Sequence, residues 1–268
     1  MPLGMYNMKT TDLFIIAAGK GSRMGGNVPK ALVPITDDPC LTTTLQQVGH
    51  KFNRVFIVSN RLIQEPWDDY FASVDNKYPN LCYNIQNIQI DSGLGDGHAV
   101  MAALNHPDAV NALNDIVVCW GDVFFPQAEI IDQLLSYANA SSGLIPAINE
   151  NNPYVSLLVD EQLYCKSADF SKYGETHPSG FHDQSVFRLN RQVIMNALNT
   201  LHSAYWKNGR YITPGGELSL LHTFHYLYNT GNPLKVFESD YQTLSFNTLD
   251  EVLQIQQELS AKWKSAQF

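Results

Sequence analysis

The chain has 268 residues, of which 44% are hydrophobic and 16% charged, and its formal net charge is −9. This length suits one large α/β domain or two small ones, and the low fraction of charged residues excludes an intrinsically disordered protein. The acidic balance argues against nucleic acid as a partner, and the absence of an apolar run of about 20 residues argues against a membrane-spanning protein.

The cysteines and the N-terminus bear on cellular location. The four cysteines, Cys40, Cys82, Cys119 and Cys165, form no CxxC pair and are too few for a disulfide-stabilised scaffold. The polar residues 1–11 and the short apolar run 13–18 do not resemble a secretory signal peptide. These features predict a cytoplasmic protein with reduced thiols.

In the first half of the chain, short apolar runs alternate with segments of helical periodicity. This alternation predicts crossover units and a mainly parallel sheet. The run DIVVCW is apolar after its first residue, as in a strand buried on both faces. Strands are predicted at 12–17, 54–59, 81–89, 115–120 and 143–148, and helices at 98–104 and 129–137.

After residue 149 the pattern is looser, which predicts a smaller C-terminal lobe with no clear linker before it. A polar break is predicted at 149–153, and the segment 164–182, rich in Gly, Ser and His, is predicted to be a loop or lid. The last helix begins with a capping box formed by Thr248 and Glu251. Strands are predicted at 155–159, 186–189 and 234–238, and helices at 190–202, 217–228 and 249–263.

The most informative segment is AAGKGSRMGGNVPKAL, residues 17–32, which directly follows the first predicted strand. An open α/β sheet presents its ligand-binding loops at this point. Gly19 and Gly21 allow backbone N–H groups to approach phosphate oxygens, and Arg23 adds a planar fork of charged donors. Lys30 follows a proline, which restricts the backbone that leads to it. The segment therefore predicts a phosphate-binding loop.

Two familiar nucleotide-binding fingerprints do not fit this loop. A P-loop requires GxxxxGK followed by Ser or Thr, whereas Lys20 lies between the two glycines. A dinucleotide fingerprint requires a third glycine, and that position is occupied by Met24.

The loop resembles the signature of the sugar-phosphate nucleotidyltransferases, also called NDP-sugar pyrophosphorylases, in which GxGxRM is followed by Pro-Lys. These residues stand here at 19–24 and 29–30. The stretch SGLGDGHAV, 92–100, is similar to the Leu-Gly-Thr-Gly-His-Ala segment of the N-acetylglucosamine-1-phosphate uridylyltransferases. WGDV at 120–123 and FNT at 246–248 resemble the two metal-binding segments of the family.

This resemblance implies an architecture for the whole chain. The implied fold is a Rossmann-like, glycosyltransferase-A-like α/β fold of three layers, with a mostly parallel sheet. It implies a single nucleotidyltransferase domain over 1–268. Residues 1–150 would form its nucleotide-binding half, and residues 151–268 a sugar-binding lobe with the C-terminal helix.

The resemblance also assigns roles to the loop. It implies that nucleotide is bound by Ala18, Gly19, Gly21 and Ser22. Arg23 would hold the leaving pyrophosphate, and Lys30 would lie between the α-phosphate of the nucleotide and the phosphate of the acceptor. Both cations are thereby expected to be catalytic.

One Mg²⁺ site is expected, with ligands from two separate positions of the chain. Asp122 ends an apolar strand, where a carboxylate is costly unless it is paired or binds a metal. Because Mg²⁺ fills its octahedron mainly with phosphates and waters, one aspartate is enough to anchor it. The resemblance implies Asn247 as the second ligand, with Ser245 as the alternative position.

The base and sugar sites follow from the resemblance. Gly95 and Asp96 are expected against the nucleobase edge. Related enzymes have threonine at the position of Asp96, and an aspartate there would favour the amino groups of guanine or cytosine. The sugar pocket is expected to include Tyr154, Asp183, Ser185 and Glu217. Neither glycine of the family's Gly-Tyr-Gly flanks Tyr154, which argues against an N-acetylhexosamine.

These features predict a Mg²⁺-dependent enzyme whose partners are an NTP and a sugar 1-phosphate or a similar phosphate monoester, such as a phosphocholine-like acceptor. Two alternatives stay open. A nucleotide-sugar glycosyltransferase would need an Asp-x-Asp motif, and position 124 is Phe. A non-catalytic nucleotide-binding or regulatory homologue would bind nucleotide without releasing pyrophosphate. The sequence leaves the base, the sugar and the oligomeric state undetermined.

Overall fold

The computed structural model describes residues 9–19, 21, 28–91, 93–137 and 141–265, except for the side chains of residues 82, 83 and 260–265. Its helices are α1 (Cys40–Val48), α2 (Gln64–Lys77), α3 (Asp96–Leu104), α4 (Glu129–Ser136), α5 (Arg191–Tyr205), α6 (His222–Asn229) and α7 (Leu249–Ser265). Its strands are β1 (Asp12–Ile16), β2 (Val55–Asn60), β3 (Ile85–Ile90), β4 (Asp115–Trp120), β5 (Val123–Phe124), β6 (Gly143–Asn151), β7 (Val155–Val159), β8 (Cys165–Phe170), β9 (Ser179–Asp183), β10 (Val186–Asn190), β11 (Trp206–Lys207), β12 (Arg210–Tyr211), β13 (Lys235–Glu238) and β14 (Leu244–Ser245).

One large sheet runs through both halves of the chain in the order β3-β2-β1-β4-β10-β6-β9-β7-β8, with β13 beside β6. The four strands β3, β2, β1 and β4 are parallel. Strand β10 comes from the second half of the chain and lies antiparallel between β4 and β6. Only β8, β9 and β10 oppose the common direction of this sheet.

Helices cover both faces of the sheet because its central strands are apolar on both sides. In β1, Phe14 and Ile16 pack into one core with α3, α5 and α6. Leu13 and Ile15 point the other way and pack with α1, α2 and α4. The side chains of a strand alternate between the faces, so an unbroken apolar run requires cover on both. The predicted three-layer α/β fold is confirmed.

The predicted strands and helices of the first half agree with the structure within a few residues, but two helices were not predicted. Helix α2 buries only Trp67, Tyr70 and Val74, and helix α1 contains three consecutive threonines, which are weak helix formers. The weakly predicted strand at 81–89 begins only at Ile85, after a 3-10 turn.

Three predictions for the second half were wrong. The polar break at 149–153 is partly strand, because β6 continues to Asn151 and pairs with β9. The loop or lid at 164–182 contains β8 and β9, which are antiparallel strands with polar, half-exposed side chains. The helix predicted from Glu217 begins only at His222. Before it, Glu217 is extended, Leu218 accepts hydrogen bonds from the start of α3, and residues 220–221 form a turn.

Two further features concern the cysteines and the helices. Cys40, Cys119 and Cys165 are buried free thiols, and burial raises the pKa of Cys119 and of Cys165 to about 12. Among the described helices, none is both long and apolar enough to cross a bilayer.

Candidate active site

A cleft of about 480 Å³ lies at the carboxyl ends of β1 and β4. This is the edge at which open α/β sheets bind ligands, and the volume is that of a small-molecule site. Ten residues predicted from the sequence line it, namely Ala18, Gly19, Gly21, Lys30, Gly95, Asp96, Asp122, Tyr154, Glu217 and Asn247. Their chemical roles stay predictions, but they share one cleft.

Three polar side chains meet on one wall of the cleft. The Nζ atom of Lys30 donates to Oδ2 of Asp122 at 2.9 Å and to Oδ1 of Asn247 at 2.8 Å. It also donates to the backbone oxygen of Phe246 at 3.2 Å. The carboxylate and the amide oxygen therefore face one common cation position, although they come from distant parts of the chain.

The backbone explains why Asp122 and Asn247 converge. The short strand β5 begins directly after Asp122 and pairs antiparallel with β14, with Ser245 opposite Val123. Asn247 follows β14 and precedes α7, whose capping box is present as predicted: Thr248 N donates to Glu251 Oε2 at 3.0 Å. Ser245, the alternative ligand position, does not line the cleft.

Gly121 allows the ends of β1 and β4 to come together beneath this wall. A Cβ atom at Gly121 would lie 2.7 Å from Cβ of Ala17 and 3.0 Å from Cβ of Ala31. Such distances are shorter than van der Waals contact, so a side chain here would separate the two elements that carry Asp122 and Lys30.

The opposite wall is the start of α3, to which segment 217–221 is hydrogen-bonded. The N–H groups of Gly97 and His98 donate to the carbonyl of Leu218, at 2.9 and 3.3 Å. Gly95 has φ +99° and ψ 164°, and a Cβ atom there would lie 2.3 Å from the oxygen of Leu218. This backbone conformation is nearly exclusive to glycine.

Asp96 lines the cleft, but its carboxylate is engaged by the protein. It accepts hydrogen bonds from Leu220 N at 2.6 Å and from the Ser219 hydroxyl at 3.1 Å. Burial raises the pKa of Asp96, and these two hydrogen bonds oppose the shift. The contacts favour a structural role, in which Asp96 joins α3 to segment 217–221, over selection of a base amino group.

Two predicted pocket residues lie outside the cleft. Asp183 is buried, and its Oδ1 accepts a hydrogen bond from Ser185 N at 2.8 Å. This bond stabilises the turn between β9 and β10, where Ser185 has φ +55°. Asp183 and Ser185 thus do not line the described cleft, and their place in a sugar pocket stays a prediction. Ser22 and Arg23, also predicted, lie outside the described residues.

The cleft contains residues that were not predicted. Lys172 lies in the segment expected to be a loop, with Nζ 4.9 Å from the ring centre of Tyr173. Trp120 ends β4, and His98 lies within the GHA stretch. The motif context of His98 and Trp120 could have indicated them, whereas only the fold of 165–183 brings Lys172 to the cleft.

A cleft that places a lysine beside a glycine loop, at this edge of a three-layer sheet, is typical of nucleotide-binding proteins. The chain matches the MobA-like NTP transferase domain over residues 13–205 and belongs to that family.

A curated relative matches most of this chain at low identity. The bifunctional protein GlmU of Caldicellulosiruptor saccharolyticus is 22% identical over 270 residues, which cover 95% of this chain and 53% of that protein. The chain thus spans about half the length of this curated relative.

Two solved structures share the fold. A UDP-glucose pyrophosphorylase complexed with UDP-glucose has a TM-score of 0.74 at 15% identity, covering 94% of this chain and 98% of the other. A putative glucose-1-phosphate thymidylyltransferase from Bacillus anthracis has a TM-score of 0.69 at 14% identity, covering 92% and 94%. At these low sequence identities, what the structures share with this chain is the fold.

Proposed function

We propose that this protein transfers a nucleotidyl group from an NTP to a sugar 1-phosphate, in a Mg²⁺-dependent reaction that forms an NDP-sugar and pyrophosphate. The observation that carries the proposal is the convergence of Lys30, Asp122 and Asn247 beside the glycine loop. The NTP transferase family and the folds of the pyrophosphorylase and thymidylyltransferase structures support it.

The proposed reaction needs no general base. An oxygen of the acceptor phosphate attacks the α-phosphorus, a new P–O bond forms, and the bond from the α-phosphorus to the bridging oxygen of the β-phosphate breaks. A phosphate monoester has a second pKa near 6, so at neutral pH its nucleophilic oxygen is already deprotonated. Catalysis then depends on positioning and on stabilising the charge of the transition state.

Lys30 is the central residue of this proposal. Its ammonium would leave Asp122 and Asn247 to contact the α-phosphate and the acceptor phosphate together. Arg23 would hold the leaving pyrophosphate, and the N–H groups of Gly19 and Gly21 would bind the triphosphate, next to Ala18 and Ser22. These contacts would strengthen as negative charge develops in the transition state. Only contacts that are stronger in the transition state than with the bound substrate increase the reaction rate.

The residues present fit a Mg²⁺ ion. Asp122 and Asn247 already direct two oxygens at one bound cation, the Lys30 ammonium. Among the described residues, no cluster of three or more His, Cys, Asp or Glu side chains is placed to hold a metal, so phosphates and waters would complete the octahedron, as Mg²⁺ prefers. When bound, the ion would neutralise charge at the α-phosphate.

The acceptor would lie on the side of the cleft formed by Tyr154, Lys172 and Glu217. Lys172 supplies a second cation for a phosphorylated acceptor, and Glu217 can accept hydrogen bonds from sugar hydroxyls. The glycosyltransferase alternative is less well supported, because position 124 holds a buried Phe in place of a second carboxylate. The buried reduced thiols favour a cytoplasmic location for the reaction.

The proposal is tested first by thermal shift with ATP, CTP, GTP and UTP, with and without Mg²⁺, for the wild type, Asp122→Ala and Arg23→Ala. A nucleotide at a hundred times its Kd adds about 2.7 kcal/mol. At about 2–4 °C per kcal/mol, this is roughly 5–10 °C.

Pyrophosphate release with a panel of sugar 1-phosphates and with phosphocholine then identifies the acceptor. Nucleotide binding without pyrophosphate release from any acceptor would favour the non-catalytic homologue. No shift with any nucleotide, alone or with the sugar phosphates, would contradict the proposed function.

A further inference from the structure

Three aromatic side chains form a hydrogen-bonded series that starts at the wall of the cleft. Nδ1 of His98 lies 2.7 Å from the hydroxyl oxygen of Tyr211, and Nδ1 of His202 lies 2.8 Å from the same oxygen. His98 lines the cleft, Tyr211 is buried, and His202 is half-buried on α5. No element of the proposed mechanism uses this series.

The hydroxyl of Tyr211 gives the two imidazoles opposite roles. A phenol has one proton to donate and lone pairs to accept with. When Tyr211 donates to His98, the proton of His98 lies on Nε2, and His202 donates its Nδ1 proton to the phenol oxygen. When Tyr211 donates to His202, the positions reverse and Nε2 of His98 becomes an acceptor. The tautomers of the two histidines are therefore linked.

The packing fixes the ring of His98. The ring of Trp206 stacks on His98 and on His202, with centroid distances of 6.4 and 5.5 Å. Trp206 is held in turn by the pairing of β11 with β12, which places it opposite Tyr211. With Nδ1 bonded to Tyr211, the other polar atom of the ring is Nε2, which bonds to no described protein group.

The imidazole of His98 is neutral, although charged side chains line the same cleft. Burial lowers its pKa, and His202 adds to the shift, whereas burial raises the pKa of Tyr211 to about 12. The two cations of the described cleft wall are Lys30 and Lys172. A neutral imidazole suits a hydroxyl or the edge of a base better than a phosphate.

We propose that His98 contacts the substrate through Nε2, by a hydrogen bond to an uncharged polar group, and that Tyr211 and His202 position it. This inference rests on the proposed function. The shared chemistry could come from the nucleoside of the NTP or from the hydroxyls of the sugar 1-phosphate. The two sources are separated by measuring KM for each substrate.

Two substitutions at His98 separate its two nitrogens. Asparagine places an amide atom near the position of Nδ1, which keeps a partner for Tyr211 but removes the atom that reaches the cleft. Glutamine places an amide atom near Nε2 and gives up the Tyr211 contact. His98→Asn should raise KM for one substrate about five- to tenfold, the value of one lost hydrogen bond. His98→Gln should keep KM closer to that of the wild type.

Tyr211→Phe tests the positioning role, because it keeps the ring beside Trp206 and removes the hydroxyl. It should raise the same KM with little change in kcat. His50→Asn, at an exposed histidine on the opposite edge of the sheet, is the matched control and should leave both constants unchanged.

The ¹⁵N spectrum of histidine-labelled protein provides a readout that can be taken first on the wild type. The two nitrogens of His98 should change their shifts on adding either the NTP or the sugar 1-phosphate, and Tyr211→Phe should alter the tautomer seen before addition. Unchanged His98 signals with both substrates would overturn the inference, as would an unchanged KM in His98→Asn.

The experimental results would differ if the proposed function itself were wrong. A wild type that neither binds a nucleotide nor releases pyrophosphate with any acceptor would remove the basis of both proposals. If the wild type is active and the His98 variants have the same KM values as the wild type, only this inference is overturned.

Discussion

Lys30 and Asp122 form an ion pair on one wall of the cleft, with 2.9 Å between Nζ and Oδ2, although they lie 92 positions apart in the chain. Asn247 completes the arrangement from the other end of the sequence. The lysine ammonium thus occupies the position at which the two oxygens would hold a metal ion. In the proposed reaction, a metal ion would have to replace this ammonium, and a nucleotide phosphate would have to draw it away from Asp122 and Asn247.

Replacing Lys30 should separate metal binding from turnover. In Lys30→Met, pyrophosphate release should fall at least about a hundredfold, the effect of one lost transition-state contact. At the same time Mg²⁺ alone should raise the Tm of the variant more than that of the wild type, because Asp122 no longer pairs with an ammonium. The exposed Lys9→Met is the control. Equal responses of wild type and Lys30→Met to Mg²⁺ would contradict this interpretation.

Asp122→Asn should retain the shape of the site and lose its charge. We expect a loss of at least about a hundredfold in pyrophosphate release and the disappearance of the Mg²⁺-dependent part of the nucleotide thermal shift. The exposed Asp68→Asn makes the same chemical change away from the cleft and should behave as the wild type. Near-normal turnover in Asp122→Asn would exclude a metal role for this carboxylate.

Gly95→Ala and Gly231→Ala form a matched pair for the wall at α3. Both glycines have positive φ, but only at Gly95 would a new Cβ collide with backbone, 2.3 Å from the Leu218 oxygen. Gly231→Ala should cost about 1–2 kcal/mol of unfolding free energy, from backbone strain alone. Gly95→Ala should cost clearly more and weaken nucleotide binding. Denaturant unfolding measures the loss of unfolding free energy in each variant. Equal losses would mean that segment 217–221 can move to make room for the new Cβ atom at little cost.

Acid pH should destabilise the protein partly through His222. Its Nδ1 accepts a hydrogen bond from Ser219 N at 3.1 Å, and burial lowers its pKa below 6.5. Between the folded and unfolded pKa values the unfolded chain binds more protons, so stability falls as the pH drops below about 6.5. His222→Asn retains an acceptor for Ser219 and removes the titrating group. Its Tm should fall less steeply between pH 7 and 5, and parallel curves would refute the assignment.

The buried thiols should be protected in the native state. Burial raises the pKa of Cys119 and of Cys165 to about 12, and that of Cys40 well above its usual range. Reaction requires the thiolate and access to it. A colorimetric thiol reagent at pH 8 should therefore modify at most one of the four cysteines until denaturant is added. Rapid modification of two or more would show that the core opens readily.

The parts of the fold that could be predicted from the sequence are those whose cause is local. Strands β1 and β4 are continuous apolar runs after their first residue, and α7 has its own capping box. Strands β8 and β9 escaped prediction because they are polar and depend on pairing with neighbouring strands. Pairing across a sheet is a tertiary property that a single segment does not reveal.

The same distinction applies to the site. The glycine loop, Lys30, Asp122 and Asn247 lie in recognisable motifs, and the fold brings the described ones together. The role expected for Asp96 did not anticipate Ser219 and Leu220, which lie more than a hundred residues away and donate hydrogen bonds to its carboxylate. Lys172 went unnoticed because its strand and turn were expected to be a loop.

The hydrogen bond between Lys30 and Asn247 links residues 217 positions apart. On the ribosome, the N-terminal half emerges first and can pair β1 with β2 early, but this wall of the cleft is completed only after Asn247 has left the exit tunnel. Contacts of such long range form late and slowly in folding. A nascent chain would therefore acquire its sheet before it acquires a finished cleft, so the onset of nucleotide binding can report the last step of its maturation.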